Sequence, residues 1–187
     1  PPRSTLFPYT TLFRSVGNII YLESEPTLSI QTLNPNLGAF VLGDSCEPKD
    51  TMGILSRCRD SRIKLIQKLK HKNLDSTIHA LNDQAEFSDL KEDEIELVKG
   101  TLRNRDLLYD GLAELEKDEP NNELIGSLFT EHHAVLRDVL KVSTPKIESM
   151  LDAALDAGAL GGKINGSGGG GSMFAYAPNN SEAIAEA

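Results

Sequence analysis

Seven of the twelve residues from Gly161 to Ser172 are glycine, and the run ends against the apolar stretch Met173-Phe174-Ala175-Tyr176-Ala177. Successive glycines reach positive φ and let backbones approach closely, so their N–H groups can converge on an anion where bulkier residues would intervene. Phosphate is the natural guest of such a nest. Because Met173 to Ala177 reads as a strand, the glycines form a loop between two apolar edges. On composition alone, Ser167 to Ser172 suits a flexible Gly-Ser linker equally well, so linker and phosphate loop both stand at this point.

The common phosphate-loop motifs do not fit. Gly166, Gly168 and Gly171 satisfy G-x-G-x-x-G, but a dinucleotide site must open a helix and be followed by a ribose-binding acid. Here a strand follows, and too little chain remains for the acid. A Walker loop requires Gly-Lys-Ser/Thr after its glycines, and a protein kinase requires Val-Ala-Ile-Lys, His-Arg-Asp and Asp-Phe-Gly downstream. Neither set is present.

The surrounding sequence predicts an α+β fold, with helices packed on one face of an antiparallel sheet. Short β-branched runs at Val16 to Leu22, Thr27 to Leu33 and Leu37 to Leu42, punctuated by Glu-Pro and Asn-Pro-Asn, suggest three strands in an antiparallel meander. After Pro48 the apolar period lengthens to that of a helix through Ile54, Leu55, Cys58, Ile63, Leu65, Ile66 and Leu69. Residues 92–118 and 122–140 carry the same period and are broken by Pro-Asn-Asn, which predicts two long antiparallel helices. Thr144-Pro145 with Glu148 supplies an N-cap, a first-turn proline and a first-turn acid, and Gly158 a stop, so a helix is predicted over Pro145 to Ala157. Asn180-Ser181 can cap a final helix.

Several functions are excluded or disfavoured by composition. The chain has 187 residues, room for one well-buried domain or one and a half small ones. A net charge of −9 repels phosphate polymers, so no nucleic acid is expected as the main partner. No run of eighteen apolar residues is available to cross a membrane. Cys46 and Cys58, twelve positions apart and without Cys-x-x-Cys spacing, read as ordinary thiols of a reducing compartment, and the expected location is cytoplasmic. No metal site is expected: His132 and His133 are adjacent, point about 100° apart on a helix and cannot chelate one ion, so packing or capping suits them better.

Other polar groups have two readings. Arg57, Arg59, Arg62, Lys64, Lys68, Lys70 and Lys72 could form an anion-binding helix face, or a solvated surface whose long side chains cover apolar neighbours. The many carboxylates at Glu92 to Glu96 and Glu114 to Glu119 flank helix ends, and no catalytic pair stands out among them. The first fifteen residues, PPRSTLFPYTTLFRS, follow neither period and resemble the translation of a sequencing-adapter oligonucleotide. Residues 1–15 are therefore read as a non-native leader, with the native segment over 16–187 expected to be truncated at both ends.

Three segments in order, Thr130-Glu131-His132-His133-Ala134-Val135-Leu136-Arg137-Asp138, Val142-Ser143-Thr144-Pro145-Lys146-Ile147 and the glycine motif over 162–172, resemble the C-terminal half of a galactokinase. Val41 to Arg59 resembles that half less closely. Galactokinases are GHMP kinases, and the resemblance implies that Asn165, Gly166, Ser167, Gly168, Gly169, Gly170 and Gly171 lie beside the phosphates of ATP and the sugar hydroxyl. It implies ATP and magnesium as cofactors, a small-molecule sugar as substrate, and an assisting electrostatic role for Lys163. In place of the linker, the glycine run becomes part of a site.

The same resemblance places the rest of the machinery outside this chain. The Arg-x-Asn-x-x-Gly-Glu-His motif, the Pro-x-x-x-Gly-Leu-Ser-Ser loop and the Met-Asp-Gln segment with its aspartate base are all absent and would precede Val16. No catalytic residue is therefore expected here, the missing N-terminal half is itself an expected partner, and the fragment alone is expected to be inactive. Ser172 stands where the family usually has cysteine, Leu140 where it has tyrosine, and the sugar-contacting tyrosine falls near Ser56. Two other readings remain: a non-catalytic galactokinase-like sensor of sugar and ATP, and a helical interaction domain using the Arg57 to Lys72 face.

Overall fold

The computed structural model describes residues 17–23, 27–49, 51–70, 87 and 89–187. The leader over 1–15 lies outside them, as do Lys72 and the end of the predicted cationic stretch. In chain order the elements are β1 (Ile19–Glu23), β2 (Ser29–Leu33), β3 (Phe40–Asp44), α1 (Thr51–Lys70), α2 (Glu92–Leu115) and α3 (Asn122–Ala134). A π turn (Val135–Val139), α4 (Pro145–Asp156), β4 (Gly161–Ile164), β5 (Ser172–Tyr176) and α5 (Ser181–Glu186) complete the chain. Among the described residues no helix is long and apolar enough to cross a membrane.

The α+β class with antiparallel pairing holds, but the predicted three-strand meander does not. β1 and β2 form a two-stranded sheet of their own, whereas β3 joins a second sheet in the order β3-β5-β4. The cause lies in Asn34 to Gly38. Pro35 cannot donate to a ladder, Leu37 turns inward to pack with Ile125 and Tyr176, and Gly38 (φ +72°) lets the chain press against Pro178. β3 thus arrives in register with β5, Phe40 opposite Tyr176 and Asp44 opposite Ser172.

Side chains alternate along β5, the central strand, and so define both faces of the sheet. Met173 and Ala175 face a core built with Ile147, Leu151 and Ala154 of α4 and Ile184 of α5. Phe174 and Tyr176 face the other way, edge-on to Phe129 of α3. Helices α4 and α5 therefore cover one face, and α3 lies against the opposite face beside β4. That approach is possible because Gly126 and Gly161 meet backbone to backbone: a Cβ on Gly161 would lie 1.8 Å from the Gly126 carbonyl oxygen.

The helices form where their local chemistry directs. Thr144 Oγ1 accepts the Ile147 N–H (3.3 Å), Pro145 occupies the first turn, and Gly158 (φ +100°) ends α4, as the sequence predicts. Asn121 caps α3 by accepting the Leu124 N–H (3.0 Å), and buried Glu114 takes the Asn121 N–H (2.7 Å), fixing the α2–α3 turn. Arg103 grips Glu131 through two bonds of 2.6 Å between the paired helices. α1 packs through Leu65 and Leu69 onto Val98 and Leu102 of α2.

Candidate functional site

The loop over Asn165–Gly171 joins two neighbouring antiparallel strands, and its conformation requires glycine. Gly166, Gly168, Gly169, Gly170 and Gly171 all have positive φ, between +73° and +103°. Gly168 also excludes any side chain by contact: a Cβ there would lie 2.5 Å from the Val142 carbonyl oxygen. A flexible linker would show no such fit; this loop is seated.

Its seat is made by chain far away in sequence. Gly169 N–H donates to the Val142 carbonyl (2.7 Å), Gly171 N–H to the Glu47 carbonyl (3.3 Å), and Ser45 N–H to the Gly171 carbonyl (2.7 Å). Lys49 Nζ donates to the Asn165 carbonyl (3.4 Å), and Ser167 Oγ lies 3.4 Å from Thr51 Oγ1 at the start of α1. The N–H groups of Gly166, Ser167, Gly168 and Gly170 take no acceptor among the described residues. The loop thus offers unengaged amide donors beside one ammonium group, the chemistry that receives a phosphate.

Sequence reasoning missed Lys49, which lies beside the loop. Lys163 instead points to the aromatic face, with Nζ 5.2 Å from the Phe174 ring centre and donating to the Ile164 carbonyl (3.0 Å). Burial lowers its pKa from the ordinary lysine value. The signal for Lys49 was slight: a cation beside Pro48 just after a strand end, where loops carry function. Ser56, at the expected sugar-contacting position, is half-buried on α1, and Ser172 begins β5.

Beneath the loop lies a charged network. His133 is buried, accepts the Ile164 N–H at Nδ1 (3.2 Å) and meets Glu148 Oε1 through Nε2 (2.9 Å). Since a backbone N–H can only donate, Nδ1 is the acceptor and the proton sits on Nε2, donating to Glu148. Ser143 donates to the same carboxylate, and Arg137 NH1 to its other oxygen (3.3 Å). Burial pushes the Glu148 pKa up, but the bonds from Ser143, His133 and Arg137 outweigh it and hold the carboxyl below the usual range. His132 faces a different environment: burial chiefly, then the charge of Lys163, lowers it to about 4.

The cationic face of α1 divides between roles. Arg57 donates to the carbonyls of Leu140 (3.0 Å) and Lys141 (3.2 Å), Arg59 pairs with Asp60, and Lys68 pairs with Glu94. Lys64 is exposed. Cys46 and Cys58 are free thiols. Among the described residues no group of His, Cys, Asp or Glu is placed to hold a metal ion.

Part of the sequence, and the fold, resemble known proteins. Residues 111–187 match the family model "GHMP kinases C terminal". A curated mevalonate kinase of Pyrococcus furiosus is 46% identical over 76 residues, which is 41% of this chain and 22% of that protein. A galactokinase of Streptomyces coelicolor is 29% identical over 112 residues, 60% of this chain and 27% of that protein. The chain thus spans about a quarter of the length of the curated relatives it matches. Among solved structures, Lactococcus lactis galactokinase complexed with galactose shares the fold with a TM-score of 0.78 at 17% identity, over 88% of this chain and 44% of that one. L. major mevalonate kinase in complex with R-mevalonate aligns with a TM-score of 0.55 at 17% identity, over 91% of this chain and 44% of that one.

Proposed function

We propose that this chain is the C-terminal portion of a cytoplasmic, ATP-dependent kinase that phosphorylates a hydroxyl group of a small sugar, and that Asn165 to Gly171 contacts the nucleotide phosphates. The observation that carries this reading is the set of unengaged N–H groups of Gly166, Ser167, Gly168 and Gly170 beside Lys49. ATP would supply the phosphoryl group. The loop would bind and orient the phosphate chain, its amides pre-aligned because glycine alone permits the seated conformation. Lys49 would add positive charge near Asn165. The described residues do not themselves fit a magnesium site, so no step of this reading passes through the metal.

A mevalonate-type substrate is the second reading, favoured by the 46% identity to the Pyrococcus furiosus mevalonate kinase over 76 residues. A non-catalytic sugar and ATP sensor is the third. Neither the Gly-Leu-Ser-Ser loop nor the Met-Asp-Gln segment with its aspartate occurs in this sequence, so the chain alone is proposed to be inert.

Two measurements test these statements. ATP added to the isotope-labelled chain should move the amide resonances of Gly166 to Gly170, and Gly168→Ala should remove the effect while the amides of α2 stay unchanged. Unmoved loop amides at millimolar ATP would sink the phosphate reading. The full-length parent, assayed for ADP release with galactose and with R-mevalonate in turn, separates the substrates; binding without turnover of either favours the sensor.

A further inference from the structure

We propose that His133 is the positioning residue of the glycine loop, holding its entry strand and its seat in one hydrogen-bonded unit. This rests on reading the loop as a phosphate-contacting site. Ile164 is the last residue of β4, so the bond from its N–H to Nδ1 of His133 fixes the backbone immediately before Asn165. Through Nε2–H the same ring holds Glu148, which the Ser143 hydroxyl also meets. Ser143 belongs to the segment 142–144 that grips the rest of the loop. Val142 accepts Gly169 N–H, and Thr144 donates to the Glu47 carboxylate (2.6 Å), whose own backbone carbonyl takes Gly171 N–H. One buried imidazole therefore ties the entry of the loop, through Glu148, to the segment that holds its middle and its exit.

The local backbone explains how His133 and segment 142–144 come together. After α3 the π turn closes with Leu140 N–H on the Val135 carbonyl (3.1 Å), and Val142 N–H returns to Leu136 (3.0 Å). Lys141, at φ +52°, reverses the chain and leaves the Val142 carbonyl facing Gly169. A regular helix would carry residues 140–142 past the loop; the widened turn sets them beside it, as such turns do at functional sites.

The two ring nitrogens can be tested apart, because an Asn amide oxygen can stand in for Nδ1 and a Gln amide nitrogen for Nε2. Amide hydrogen exchange is measured on the wild-type chain, His133→Asn, His133→Gln and His133→Leu. Exchange at Ile164 should quicken about tenfold or more in His133→Gln and His133→Leu and be largely restored in His133→Asn. Exchange at Gly169, which is held through the Nε2 arm, should quicken in His133→Leu and be largely restored in His133→Gln, with Val98 and Leu102 in the α1–α2 core unchanged. Equal acceleration of loop and core amides, or no rescue by His133→Asn, would overturn the proposal. If His133→Leu does not fold, Glu148→Gln should speed exchange at Ile164 several-fold with the core amides unmoved, and an unchanged Ile164 would count against the proposal. Sodium tripolyphosphate added to the wild-type chain tests the phosphate reading separately. Unmoved loop amides there refute that reading, while the exchange hierarchy still decides whether His133 positions the loop.

Discussion

Replacing Gly161 by alanine tests whether the backbone approach of α3 to β4 holds this domain together. The added Cβ would lie 1.8 Å from the Gly126 carbonyl oxygen, and to reach even 3.0 Å the helix must retreat by about 1.2 Å. Neither atom is on a flexible side chain, so no rotamer change relieves the clash. Ile125 and Phe129, which α3 packs beside Tyr176, are worth about 2 kcal/mol each when buried. A gap of about 1 Å forfeits a quarter to a half of the dispersion well, about 1–2 kcal/mol for the pair. The bonds from Ile164 N–H to His133 (3.2 Å) and from Tyr176 Oη to Asn122 (2.6 Å) cross the same interface, each worth about 1 kcal/mol. Gly161→Ala is expected to cost about 3 kcal/mol, near the upper end for overpacking and a large share of a stability of about 5–15 kcal/mol. Urea unfolding followed by circular dichroism measures it. The same chemical change at Gly111, inside α2 with nothing within 4 Å of a new Cβ, should instead stabilise by about 1 kcal/mol. A loss under about 1 kcal/mol at Gly161, or any loss at Gly111, would falsify the close-approach account.

Other consequences are independent of that contact. His132 is held neutral when folded, with its pKa lowered to about 4 chiefly by burial, whereas an unfolded histidine takes up its proton near pH 6.5. Its contribution is therefore fully present above about pH 6.5 and is lost as pH falls toward 4. Wild type should lose about 3 kcal/mol more than His132→Gln between pH 7 and pH 4, and parallel urea midpoints for the two chains would refute this. Lys141 adopts φ +52°, a region that costs a side-chain-bearing residue about 1 kcal/mol. Lys141→Gly should therefore be neutral or stabilising by up to about 1 kcal/mol despite the freer unfolded chain, and a loss above that in thermal melts would contradict the assignment of strain there.

What was legible in the sequence was local. Thr144, Pro145 and Gly158 delimit α4 by chemistry that acts within a few residues, and the helical period of Ile95, Leu97, Val98 and Leu102 predicts α2 for the same reason. The glycine loop was legible too, since no other residue type tolerates so many positive φ values in a row. Tertiary structure alone decided who seats that loop. β3 pairs with β5 rather than β2, Lys49 reaches Asn165 across 116 positions, and the histidine next to His132 becomes the acceptor for Ile164. Period and capping carry no term for such distant pairings, which are chosen when apolar faces close over one another and every buried polar group must find a partner.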